Sequence, residues 1–238
     1  NRNYGKWFLN DVIRAVRGFG LIEQGESVAA ALSGGKDSVT LLYILEYLRR
    51  YSFLRFDLVA AHVRTGNYET GVLREYCDAL GVAYLETELR GDRGPALEKA
   101  CSLCARLKRG ALAALLRPMS VRKLAYGHHA DDAAETFFMN VVQHRRLGSF
   151  AAKVDRGGRG PALIRPLIYV EERVIRQVHG LLGLPVLDYR CPHAAANVRR
   201  KFREAVGRLD EVFHTTRFVR RLADAMGRAA LADEKGRA

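Results

Sequence analysis

The chain has 238 residues, is 48% hydrophobic and carries a formal charge of +13, from 39 Lys and Arg against 26 Asp and Glu. That is enough apolar material for one large domain with a substantial core, and no run of eighteen apolar residues marks a transmembrane helix. The first ten residues mix charge with aromatics and lack a signal-peptide core, so a soluble cytoplasmic protein with no membrane partner is expected.

Trp7, Phe8, Val12, Val16 and Phe19 recur at helical spacing, with Arg14 and Arg17 between them, and predict an amphipathic helix ending near Gly18 or Gly20. Val28 to Leu32 reads as a short buried strand leading into Ser33-Gly34-Gly35-Lys36-Asp37-Ser38. Apolar residues from Val39 to Leu48 then mark a helix, with Ser38 at the N-cap position. Phe56 to His62 and Val82 to Glu86 are expected strands, and Asn67 to Leu80 a helix with Cys77 as a small buried hydrophobe. After a polar loop, Arg90 to Pro95, the run Cys101-Ser-Leu-Cys104 opens a helix to Leu116. Val121 to Tyr126 is a strand, followed by Gly127-His128-His129-Ala130-Asp131-Asp132 and a helix through Val142. Arg145 to Pro161, rich in Arg and Gly, reads as a mobile basic loop, and Leu163 to Ile168 as the last strand. A helix is expected over Glu171 to Leu182, with Val174, Ile175, Val178 and Leu181 inward. A basic helix carrying Arg199, Arg200, Lys201 and Arg203 and a tail helix over Phe213 to Ala230 follow, with Ala232 to Ala238 disordered. This alternation predicts an α/β fold, a doubly wound, mostly parallel sheet of five or so strands with flanking helices. Ligands bind such sheets beyond the carboxyl ends of the strands, where the loops at Ser33 and Gly127 both emerge.

In the first of these loops two glycines permit a tight turn with bare N–H groups. Those groups and the positive end of the following helix form an anion site. Lys36 adds charge and Asp37 could carry a magnesium ion bridging phosphates, so the parts suit a nucleoside triphosphate. The spacing is not Gly-x4-Gly-Lys-Ser/Thr, which excludes the common ATPase loop. The order of residues resembles instead the pyrophosphatase loop of the N-type ATP pyrophosphatases, which split ATP between the α and β phosphates and adenylate a carbonyl oxygen. Four cysteines, Cys77, Cys101, Cys104 and Cys191, are too few and too unevenly spaced for a disulfide framework and suggest metal or catalysis. Cys101 and Cys104 share neighbouring turns at a helix start, where thiolates are favoured, and Lys108 projects from the same face.

Cys101-Ser-Leu-Cys104-Ala-Arg106-Leu-Lys-Arg109-Gly110, the Gly127 to Asp132 run, Arg165-Pro166-Leu167 and the late Cys191 resemble the signatures of the tRNA 2-thiocytidine synthetase family of PP-loop enzymes, from about Val12 to Leu209. The resemblance implies an adenine nucleotide alpha hydrolase-like fold and ATP-dependent replacement of a cytidine oxygen by sulfur in the tRNA anticodon loop. Cys101, Cys104 and Cys191 would ligate a [4Fe–4S] cluster with one open iron. Ser33, Gly34, Gly35, Lys36, Asp37, Ser38 and Gly127 would bind ATP with Mg2+, and His62 would lie near the adenosine. Lys108 and Asp132, with Asp37, would form the reaction centre. The implied partners are tRNA, a sulfur donor such as a cysteine desulfurase or free sulfide, and a second copy in a homodimer. The implied organisation is an N-terminal helical segment, 1–24, a PP-loop catalytic domain, 25–190, and a basic helical extension, 191–238. Two features depart from the family: Asp188-Tyr-Arg-Cys191 stands where a second Cys-x-x-Cys is usual, and Pro192-His193-Ala194 replaces a Gly-Ser-Gln-like segment. Rival readings are a lysidine-synthetase-like ligase, which would not need the cysteines, and a non-catalytic RNA- or ATP-binding protein with zinc on Cys101, Cys104, Cys191 and His193. For the run Arg199 to Arg203 the rival is a merely solvated face, and for Asp131 and Asp132 ordinary helix N-terminal charges.

Overall fold

The computed structural model describes residues 5–66, 68–89, 101–158, 160–187, 198–213 and 218–235. Its frame is a six-stranded sheet: β1 (Ser27–Ala31), β2 (Asp57–Arg64), β3 (Ala83–Glu88), β4 (Lys123–Ala125), β5 (Lys153–Val154) and β6 (Ala162–Ile164), in the order β3-β2-β1-β4-β6-β5. All neighbours run parallel except β5 against β6. The helices are α1 (Gly5–Gly18), α2 (Lys36–Tyr51), α3 (Gly71–Leu80), α4 (Cys101–Leu116), α5 (Ala130–His144), α6 (Glu172–Leu182), α7 (Arg199–Phe213) and α8 (Phe218–Lys235). The doubly wound α/β reading therefore holds. Among the described residues, no helix is long and apolar enough to cross a membrane.

A parallel strand covered on both faces must be apolar on both, and β1 is: Val28, Ala29, Ala30 and Ala31 are all buried. Alternate residues serve two cores. Val28 and Ala30 join Leu58, Ala60, Ala125 and Ile164 in a cluster with Phe8 and Val12 of α1, Leu41 and Leu45 of α2, and Ile175 of α6. That cluster also takes in Val206 of α7 and Val219 of α8. Ala29 and Ala31 join Ala61, Val63, Leu124 and Leu163 beneath Leu112 and Leu116 of α4. Alanine on both faces of β1 lets helices approach the sheet closely where the chain leaves it.

Several boundaries differ from the sequence reading, each for a local reason. The N-cap of α2 is Gly35 rather than Ser38, because the Ser38 hydroxyl turns back to bond the loop. The helix expected from Asn67 starts only at Gly71. Within the stretch read as a basic loop, Lys153 and Val154 pair with Ile164 and Leu163, making a hairpin that closes the sheet edge. In α6, Ile175 and Val178 are buried as expected but Leu181 is 47% exposed. The last helix reaches Lys235, past the point where disorder was expected.

The basic helix is not simply a solvated face. Arg199 and Arg203 reach the buried Glu135 of α5 at 3.1 and 2.6 Å, which clamps α7 onto α5, while Arg200 pairs outward with Glu204. Replacing Glu135 leaves two arginines facing an emptied buried site. Glu135→Ala should lower the unfolding free energy by about 2 kcal/mol in urea denaturation, given typical values for hydrogen bonds to charged groups.

Candidate active site

β1 and β4 are neighbours, yet the chain leaves them toward different connections, so the loops beyond Ala31 and Ala125 part. The opening is a cavity of about 450 Å³. Ser33, Asp37 and Ser38 line one side, Thr65 and Tyr68 follow β2, and Lys108, Arg109 and Leu112 descend from α4. Tyr126, Gly127, His128, Asp132 and Arg165 close the far side.

The turn from Ser33 to Ser38 is held by its own hydroxyls. Ser38 Oγ accepts from the Ser33 amide at 3.1 Å and from Ser33 Oγ at 3.0 Å, and donates to the Gly35 carbonyl at 2.8 Å. Gly34 has φ +82°, and a Cβ there would meet the Leu187 side chain at 2.3 Å, so both conformation and space demand glycine. Gly127 is required for another reason. A Cβ on it would stand 2.9 Å from the Asp37 carbonyl oxygen, so the β4 exit lies directly on the first turn of α2.

Charge is organised around that contact. Lys36 pairs with Asp37 and, at 3.1 Å, with Glu172 at the start of α6. Burial would raise the Glu172 pKa, yet Lys36 and Arg176 hold it down to about 2. His129 is buried, with Nε2 3.8 Å from Asp37 and 3.5 Å from Asp132, and Nδ1 3.5 Å from Asp131. Burial opposes its charge, but these three carboxylates prevail and raise its pKa. Asp37, His129 and Glu172 each bring a donor atom within 4.8 Å of the others, an arrangement that can hold a divalent cation. Asp131 and Asp132 also serve their helices. Asp131 accepts the Glu172 amide at 2.6 Å, and Asp132 accepts the His129 amide at 3.1 Å while facing Arg199 at 3.7 Å.

The other histidine is opposite in character. Burial and Arg165 drive the His128 pKa down to about 4, and neutral Nδ1 accepts the Arg165 Nε–H at 3.2 Å. His128 stacks on Tyr126 at 5.7 Å and meets the Phe150 ring at a tilt, 5.2 Å between centroids. His62, by contrast, does not line the cavity. Its Nδ1 donates to the Leu32 carbonyl at 2.6 Å and its Nε2 faces the Tyr68 hydroxyl at 3.3 Å, so it braces the β1 exit and positions Tyr68, which does line it. Burial lowers its pKa.

Thus the structure brings Ser33, Asp37, Ser38, Lys108, Gly127 and Asp132 to one cavity and sets Lys36 beside Asp37. Cys104 is a half-buried free thiol one helical turn before Lys108, and Cys101 begins the same helix. Cys191 and His193 lie outside the described residues, as does the loop Arg90 to Pro95. Cys77 is buried and its thiol is pushed up to about 12 by burial, which removes it from chemistry. The sequence reading missed Tyr68, Tyr126 and Glu172. Glu172 had one available signal, its acidic charge opening a helix after a motif already singled out.

Comparison with known proteins gives a consistent picture. The PP-loop domain family matches residues 9–186. A tRNA-cytidine(32) 2-sulfurtransferase of Pelobacter propionicus is 37% identical over 207 residues, which are 83% of this chain and 77% of that protein. Its namesake from Geobacter sulfurreducens is 41% identical over 79% of this chain and 76% of its own length. Among solved structures, the U34-tRNA thiolase NcsA of Methanococcus maripaludis, described with its [4Fe–4S] cluster, superposes with a TM-score of 0.75 at 19% identity. That match covers 96% of this chain and 81% of that one, and shows a shared fold.

Two outcomes follow from the geometry. Gly127→Ala forces a methyl against backbone that no rotamer change can relieve, so it should cost about 2 kcal/mol of stability, as overpacking does, and weaken ATP binding measured by calorimetry. The lowered His128 pKa means that the unfolded chain takes up its proton first, so stability is lost as pH falls from 6.5 toward about 4. His128→Asn should flatten that part of the curve in denaturation series across pH.

Proposed function

Because this chain belongs to the PP-loop family, among the tRNA-cytidine(32) 2-sulfurtransferases it matches, we propose that it thiolates a cytidine of tRNA at the expense of ATP. The observation that carries the reading is the single cavity in which the glycine turn, Lys108 and Asp132 meet. The amides at the N-terminus of α2 and Lys36 bind the β and γ phosphates, leaving the α phosphate toward Lys108. The C2 oxygen of the cytidine attacks that phosphorus and pyrophosphate departs. Lys108 stabilises the charge that develops on the α phosphate oxygens, and Asp132, fixed by the His129 amide and Arg199, orients the attacking group. The adenylated oxygen is then a good leaving group, and a sulfur nucleophile displaces AMP at C2.

Asp37 and Glu172 fit Mg2+, with His129 as a third donor. Lys36, within the phosphate-binding turn, spans these two carboxylates. Cys101, Cys104 and Cys191 fit a [4Fe–4S] cluster by donor type, and the free Cys104 thiol one turn from Lys108 supports its position beside the cavity. Held by these three thiolates, such a cluster would supply an iron with an open site for sulfur. The sulfur itself would come from a cysteine desulfurase or free sulfide.

Anaerobically purified protein should convert unmodified tRNA to a 2-thiocytidine product with ATP, Mg2+ and sulfide, read by mass spectrometry of the digested RNA. Lys108→Ala and Asp132→Ala should each lower the rate about a hundredfold or more, as loss of a charge-stabilising group does. Metal analysis should find about four iron and four sulfide per chain, labile in Cys191→Ala. One zinc with no sulfide would sink the cluster assignment, and a lysidine product would replace thiolation by the ligase reaction.

A further inference from the structure

We propose that Arg109, Arg156 and Arg165 form a site for a backbone phosphate of the RNA substrate, with the Tyr126 hydroxyl as a further donor; this rests on the tRNA reading above. The residues come from separate elements that the sheet brings together. Arg109 descends from α4, Tyr126 follows β4, Arg165 follows β6, and Arg156 sits on the β5–β6 hairpin. Arg109, Tyr126 and Arg165 line the same cavity. The hairpin is seated against α4, since a Cβ on Gly160 would lie 3.4 Å from Ala113.

Two features mark this cluster together. Several of the other guanidinium groups meet carboxylates: Arg199 and Arg203 on Glu135, Arg176 on Glu172, Arg220 on Asp11. Among the described residues, no carboxylate pairs with Arg109, Arg156 or Arg165. Asp155, next to Arg156, accepts the Gly157 amide at 2.9 Å instead. Arg165 donates to His128 at 3.2 Å and to the Ala151 carbonyl at 2.5 Å, both neutral acceptors. The second feature is unmet hydrogen-bonding capacity. Tyr126 Oη and Arg156 Nη1 are both buried without a partner. Buried donors left unpaired beside converging positive charge are costly, and a phosphate would satisfy both deficits at once.

The ligand is a different anion from the ATP triphosphate. β6 lies two strands from β1, roughly 10 Å across the sheet, while the triphosphate belongs to the turn after β1. A phosphate held here would set an RNA strand across the cavity mouth, with a neighbouring base directed inward past the stacked Tyr126 and His128 rings. The arginine- and glycine-rich stretch from 145 to 161 thereby acquires a role in RNA binding through its hairpin.

The test is binding of unmodified tRNA across a salt series, without ATP, for wild type, Arg156→Ala, Arg156→Lys and Tyr126→Phe. Each lost phosphate contact should lower the slope of log K against log[salt] by roughly 0.7 to 0.9. Arg156→Ala should show that decrease with about tenfold weaker binding, while Arg156→Lys keeps the slope and confirms that the hairpin folds. Tyr126→Phe should weaken RNA binding with its slope unchanged, and MgATP affinity should be the same in the wild type and both Arg156 variants. An unchanged affinity and slope in Arg156→Ala, in a wild type that thiolates tRNA, would overturn this inference alone. Lost MgATP affinity with RNA binding intact would overturn it too, reassigning the cluster to the nucleotide. A wild type without RNA affinity would overturn the reading it rests on.

Discussion

The contact between Gly127 and the Asp37 carbonyl is the constraint on which the site depends. It presses the end of β4 against the first turn of α2, so the phosphate-binding turn and the Asp132 helix cannot drift apart. Everything reactive is then referred to one point. Asp37 and His129 meet across it, Glu172 joins through Lys36, and Lys108 faces it from α4 across the cavity. Alanine on both faces of β1 serves the same end by letting the layers close tightly at the switch in strand order.

The two adjacent histidines show how the same side chain is put to opposite use. His129 is surrounded by carboxylates, which raise its pKa against the burial that opposes its charge. His128, one residue earlier, meets Arg165 and burial and is kept neutral as an acceptor. The arginines divide likewise. Arg199 and Arg203 are consumed in clamping α7 to Glu135, so a charge count overstates what is free for a polyanion. The group around Tyr126, which meets no carboxylate among the described residues, is smaller and lines the cavity through Arg109 and Arg165.

The strands and the phosphate turn were legible because their signals are local: an apolar run, two glycines, a following helical period. The antiparallel β5 was not, since two residues between Ala152 and Asp155 carry no strand pattern and pair only because β6 offers an edge. Ser38 was read as an N-cap because its residue type suits one, whereas the turn needs its hydroxyl to bond Ser33 and Gly35. Lys108 and Asp132 came from motif resemblance, and their convergence on one cavity is a tertiary fact that no spacing contains. Glu172 reaches Asp37 only through the fold, from a helix far along the chain. His62 was expected near the adenosine, but its hydrogen bond to Leu32 gives it a bracing position behind Tyr68.

The central claim is that this cavity sets the α phosphate, and not the γ phosphate, against an RNA oxygen beside Lys108 and Asp132. The direct measurement is the identity of the nucleotide products during turnover with tRNA, using ATP labelled at the α and γ positions. The account predicts one AMP and one pyrophosphate for each sulfur inserted, with neither formed when tRNA is omitted. ADP and phosphate released in step with the RNA product would contradict it.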